Sequence, residues 1–159
     1  MNPKLVDYLN EYAQDHQHPL NRATHTIGVP LVLFHILAML DWVHLGPTFG
    51  IHTAGDGLIA LSLGHVFVGL TFFWYLRLHV GLAFMVLFAA GICFSIAPFT
   101  SFTTVIYVTI LAWVLQFIGH GVFEKRSPAF FRNLLQLLIG PLFFAAIYSG
   151  VWKPEPSAQ

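Results

Sequence analysis

The sequence predicts an all-α, polytopic membrane helix bundle, and three observations carry that reading. Of its 159 residues 57% are hydrophobic and 9% charged, with a mean hydropathy of +0.72, whereas an ordinary soluble domain carries about 25% charged residues. Apolar runs recur five times, roughly at 26–43, 58–76, 80–98, 103–120 and 134–152, each near the ~20 residues that a helix needs to cross the hydrocarbon core. Basic residues also fall on one face of the resulting alternating path: Lys4 and Arg22 precede the first run, Arg77 lies between the second and third, and Lys125, Arg126 and Arg132 lie between the fourth and fifth. Lysine and arginine favour the cytoplasmic side of short loops. The amino terminus is therefore expected in the cytoplasm, and only Lys153 falls on the other side.

Residues 3–14 mix Leu5, Val6, Tyr8, Leu9 and Tyr12 with Asp7, Asn10, Glu11 and Gln14, the pattern of a short helix lying at the interface rather than crossing it. No cleavable signal peptide is expected, since Asp7, Glu11, Asp15 and His16 occupy the place of an apolar h-region. Pro19 and its polar neighbours suggest a turn leading into the first span. In the last run Gly140-Pro141 leaves two forms open, a kinked crossing helix or a re-entrant pair of half-helices. Residues 1–153 read as a single membrane-embedded helical domain and 154–159 as a disordered tail. With a formal net charge of zero and no basic block, nothing supports nucleic-acid binding. The single Cys93 excludes an internal disulfide and a cysteine-based zinc site.

Chemistry concentrates in the histidines. The orientation set by the charges brings His16, His25 and His120 to one membrane face, and three imidazoles at one surface can hold a metal. His120 closes the fourth run between Gly119 and Gly121, which leave room for close approach. Glu124, four residues on, shares its face on an α-helix and completes a candidate set of ligands and catalytic residues: His16, His25, His120 and Glu124. Neutral imidazoles with a carboxylate suit Fe(2+), although ligand type alone also admits zinc or manganese. Asn21 and Gln116 are placed to orient ligand rings, and Arg22, Lys125 and Arg126 to attract an anionic substrate. His35, His65 and His79 are further candidates as ligands or as hydrogen-bonded bundle residues, while His44 and His52 fall on the far face. The phenylalanine-rich runs serve packing, or an acyl channel.

Two stretches carry a family resemblance. His16, Pro19, Asn21, His25 and Pro30 form the first, and the run from Gln116 to Arg126 with Pro128-Ala129 and Asn133-Leu134 forms the second. On these residues the chain resembles the Mpo1-like family of membrane 2-hydroxy fatty acid dioxygenases, over nearly the whole apolar chain. The resemblance implies an Fe(2+)-dependent dioxygenase of fatty acid α-oxidation that removes one carbon from a 2-hydroxy fatty acid, with the family's histidines at His16, His25 and His120. It implies dioxygen, a 2-hydroxy fatty acid and the bilayer as partners, and the inner membrane of a bacterium or the endoplasmic reticulum of a eukaryote as the site. The competing readings are a non-catalytic scaffold or small carrier whose polar cluster ties helix ends together, and a zinc-dependent lipid hydrolase.

Overall fold

The computed structural model describes residues 1–45, 49–52, 58–59 and 61–154. Among the described residues six α-helices run α1 (Pro3–Gln14), α2 (Pro19–Asp41), α3 (Leu63–Leu78), α4 (Val80–Ile96), α5 (Phe102–Ile118) and α6 (Leu135–Tyr148), with a two-stranded antiparallel pairing of β1 (Phe49–His52) and β2 (Leu58–Ile59) between α2 and α3. The bundle is helical, as expected. Among the described residues three helical stretches, Pro19–Asp41, Val80–Phe99 and Phe102–Glu124, are long and apolar enough to cross a membrane. The other two apolar runs are also helical but shorter. At 1.5 Å per residue α3 covers about 24 Å and α6 about 21 Å, less than the ~30 Å hydrocarbon core.

Local chemistry sets the boundaries. The α1 helix starts where the Asn2 side chain accepts from Lys4 N (3.0 Å) and Pro3 takes a first-turn position. It buries Leu5, Leu9 and Tyr12, spaced on one face, against α6. The first crossing helix begins earlier than the apolar run at 26 suggests. Pro19 is its first residue and the His18 ring caps it by accepting from Leu20 N (3.1 Å), so the polar stretch before 26 is helical and His25 rides on α2. Conversely α3 starts late, at Leu63, where Ser62 and His65 form a reciprocal capping box. His79 alone joins α3 to α4, in extended conformation, and its ring caps α4 by accepting from Leu82 N (3.2 Å).

In the last run the helix is continuous through Pro141, so the half-helix alternative is not the form adopted. Beside the proline, the Tyr75 hydroxyl donates to the Leu138 carbonyl. Two apolar cores result. One joins α1, α6 and the α3–α4 hairpin through Leu5, Tyr75, Leu82, Ile139 and Phe143; the other is Leu37, Ala90 and Cys93, packed with Phe67 and Phe94. Small residues let α2 and α5 approach: a β-carbon at Gly28 would lie 3.0 Å from Gln116 Nε2, and Ala112 is fully buried. From residue 155 onward the expected tail lies outside the described residues.

Candidate metal centre

Three elements meet at one end of the bundle: the α1–α2 turn with His16, the second turn of α2 with His25, and the π-helical turn Gly119–Glu124 that follows α5, with His120. All three histidines are buried, 1–3% exposed. Their ring centroids form a nearly equilateral triangle, His16–His25 4.6 Å, His16–His120 4.7 Å and His25–His120 4.7 Å, with interplanar angles of 80°, 75° and 88°. One ligand nitrogen from each ring lies within 4.8 Å of the other two. The rings thus stand edge to face around a common point.

Backbone carbonyls fix the rings. His16 Nδ1 hydrogen-bonds the Tyr12 carbonyl (2.7 Å) and His25 Nδ1 the Asn21 carbonyl (2.9 Å), each four residues earlier. With a proton donated from Nδ1, Nε2 is left as a bare lone pair pointing inward. Tyr12 further stacks on His16 at 3.9 Å and 4°. Burial first, and the neighbouring His25 second, hold the His16 imidazole well below the ordinary histidine value, so it is neutral and available as a donor. Burial, with Asp15 adding, pushes the Tyr12 phenol up and keeps it protonated.

The donor set fits a divalent cation. His25 Nε2 and His120 Nε2 are 3.1 Å apart, the separation of two nitrogens ~2.1 Å from one ion that subtend about 95°. His16 Nε2 is buried without a hydrogen-bond partner, a costly condition that a ligand can relieve. Gly119 makes the approach possible, because a β-carbon there would stand 2.6 Å from Thr24 Oγ1 and 2.8 Å from His25 Cε1, and against Asn21 Oδ1 as well. Gly121 has no such part, since nothing lies within 4 Å of its β-position.

Glu124 is placed differently from the expected ligand position. Its Oε1 accepts from His18 N (2.7 Å) and from Asn21 Nδ2 (3.0 Å), and the group of close donors contains the three imidazoles without it. The reason is local: the His18 N–H and the Asn21 side-chain amide draw the carboxylate to the α1–α2 turn, at the end of a π-helical turn that Lys125 closes in left-handed conformation (φ 53°). Its carboxylate staples the α1–α2 turn to the end of α5. Asn21 gives its backbone carbonyl to His25 Nδ1, and its side-chain amide donates to Glu124 and to the Asp15 carbonyl (3.3 Å). Gln116 is buried beside His25.

Below the imidazoles lies an apolar cavity of about 390 Å³, bounded at this end by Tyr12, His16, His25, Gln116 and His120. Arg22, Lys125 and Arg126 do not line it; Lys125 and Arg126 are exposed and Arg22 is half-buried. Arg132 instead pairs with Asp15 through two contacts of 3.0 and 2.9 Å. His35, His65 and His79 lie away from the centre: His35 bonds the Leu31 carbonyl and faces Trp113, His65 caps α3 near Asp41 (3.6 Å), and His79 caps α4. Tyr12 and Gln136 were missed. Gln136, 4% exposed, lines the cavity and donates to Glu11 Oε1 (2.9 Å); as a lone amide inside an apolar run it carried a legible signal.

Fold and site together define a membrane helix bundle whose three-histidine group, able to hold a metal ion, faces an apolar cavity. The family model described as 2-hydroxy-palmitic acid dioxygenase Mpo1-like matches residues 3–151. The Saccharomyces cerevisiae protein 2-hydroxy-palmitic acid dioxygenase MPO1 is 30% identical over 148 residues, which cover 87% of this chain and 76% of the yeast protein. The chain belongs to the Mpo1-like family, as its two motifs implied. No solved structure matches it.

Proposed function

We propose that this protein is a dioxygenase that holds iron(II) on His16, His25 and His120 and shortens 2-hydroxy fatty acids by one carbon. The observation that carries the reading is the convergence of three buried, carbonyl-anchored imidazoles at one end of an apolar cavity, in a chain of the Mpo1-like family. Iron(II), when bound, supplies the redox chemistry that lets dioxygen react with a closed-shell acid.

The chain's own residues do the rest. The carbonyls of Tyr12 and Asn21 hold two rings in the ligating tautomer, and Glu124 keeps the α1–α2 turn against the end of α5. It is a positioning residue in this scheme. Gln116 is the neutral polar group beside His25 in the cavity and receives the carboxylate and hydroxyl of the head group, while the apolar walls take the acyl tail and exclude water. Lys125 and Arg126, outside the cavity, attract the anionic head from the surface. The amino terminus and the centre face the cytoplasm, following the basic residues.

Purified protein in detergent tests this. Near-stoichiometric iron is expected, with oxygen-dependent loss of a 2-hydroxy fatty acid. One dioxygen per acid balances to an acid one carbon shorter, carbon dioxide and water. His120→Ala should fold yet lose both iron and turnover. Unchanged iron and full activity in that variant would refute the ligand set. Uptake of the acid without oxygen consumption would show a carrier, and hydrolysis of a lipid ester without oxygen would show a zinc-type hydrolase.

A further inference from the structure

The cavity has a floor as well as a polar end. On α2 its lining runs from His25 through Val29, Leu33 and Ile36 to Leu37. Leu37 is fully buried and Ala90 is 3% exposed, and both pack with Cys93, Phe67 and Phe94 in the second core. On the other walls the lining reaches Phe67 of α3 and Ala90 of α4, which join Leu37 in that core. These three residues from three helices line the cavity and pack into one core at the end of its lining remote from the imidazoles.

From this we infer that the Leu37–Phe67–Ala90 floor is an acyl-chain ruler, which admits tails of about 14 carbons beyond the head group and rejects longer ones. The inference rests on the substrate class proposed above. His25 and Leu37 are twelve residues apart on one helix, a rise of about 18 Å. With C–C bonds of ~1.5 Å at tetrahedral angles, an extended chain advances roughly 1.25 Å per carbon, so about 14 carbons reach from the imidazoles to the floor. The walls between them are apolar, and a tail gains by filling that length while surplus methylenes have nowhere to go.

Ala90 is the smallest residue of the floor, which makes it the place to shorten the ruler. Ala90→Leu carries side-chain atoms about 2.5 Å further than the alanine methyl, two carbons' worth. Leu37→Ala withdraws the same length. The experiment uses the full chain in detergent with saturated 2-hydroxy acids of about 10 to 20 carbons. It reads two quantities: displacement of a fluorescent fatty acid, and oxygen-dependent turnover. The optimum should shift about two carbons shorter in Ala90→Leu, with roughly tenfold weaker displacement by the longest acid that wild type accepts, and about two carbons longer in Leu37→Ala. If only one variant folds, its profile decides. A wild-type profile in the folded variants, or a shift of both in the same direction, overturns the ruler. If the displacement optima move as stated but no acid is consumed with oxygen, the ruler stands and the dioxygenase reading fails; turnover with an unmoved optimum means the reverse.

Discussion

Replacing Gly119 by alanine adds one methyl group where the end of α5 crosses α2. Ordinary contacts of a β-carbon begin at 3.4 Å, so the methyl and Thr24 Oγ1, 2.6 Å apart as built, must separate by about 0.8 Å. Thr24 cannot swing aside freely. Thr24 Oγ1 donates to the Asn21 carbonyl (2.9 Å), the same carbonyl that anchors His25. The strain therefore passes to the helix ends. Overpacking of this kind costs about 1–3 kcal/mol, and moving His120 away from His25 by a fraction of an ångström degrades a ligand pair now 3.1 Å apart. Disturbing groups that orient ligands costs typically about 10–100-fold in metal affinity. Gly119→Ala should thus lower the melting temperature in detergent and weaken iron or cobalt binding at least about tenfold, measured by titration of the metal-free protein. Gly121→Ala is the control, since its β-position meets open space, and it should bind as wild type does. Equal affinity in Gly119→Ala and wild type would refute the close-approach reasoning.

Three further outcomes are expected. Glu124→Ala leaves His18 N and Asn21 Nδ2 without their acceptor and should destabilise the fold by about 1–3 kcal/mol, seen as a lower unfolding midpoint, while metal stoichiometry stays unchanged; loss of the metal from a folded variant would restore Glu124 as a ligand. Arg132→Ala removes a pair in which the arginine side chain is 57% exposed, so its effect on stability should stay below about 1 kcal/mol, and a larger loss would mean that this contact does more than join two surface segments. Chelator treatment should lower thermal stability, because a ligand held at 100 times its dissociation constant stabilises by about 2.7 kcal/mol; a melting curve indifferent to metal would count against a bound ion.

The gathering of His16, His25 and His120 was legible because the positions of the lysines and arginines, read alone, put these three residues at one end of the expected bundle. That evidence is independent of the histidines. What spacing could not reveal was backbone form. Residues 120 and 124 share a helical face, but the donors that hold the Glu124 carboxylate, His18 N and Asn21 Nδ2, come from the α1–α2 turn, whose course spacing does not encode. Helix ends were similarly opaque: the run starting near 26 reflects hydropathy, whereas α2 starts at Pro19 because proline and the His18 cap favour a first turn there. Tyr12 escaped notice for a related reason, as a residue of an amphipathic helix whose docking partner, α6, lies more than 120 positions away.

Of the three imidazoles, two belong to helices of the bundle proper, but His16 is delivered by a peripheral segment. In the proposed centre, then, loading the ion and clasping the amino-terminal helix are a single linked equilibrium, and each must strengthen the other by the same factor. A nascent chain could insert all its apolar runs and still lack a competent centre until that last clasp closes, so metal supply would act as a maturation checkpoint.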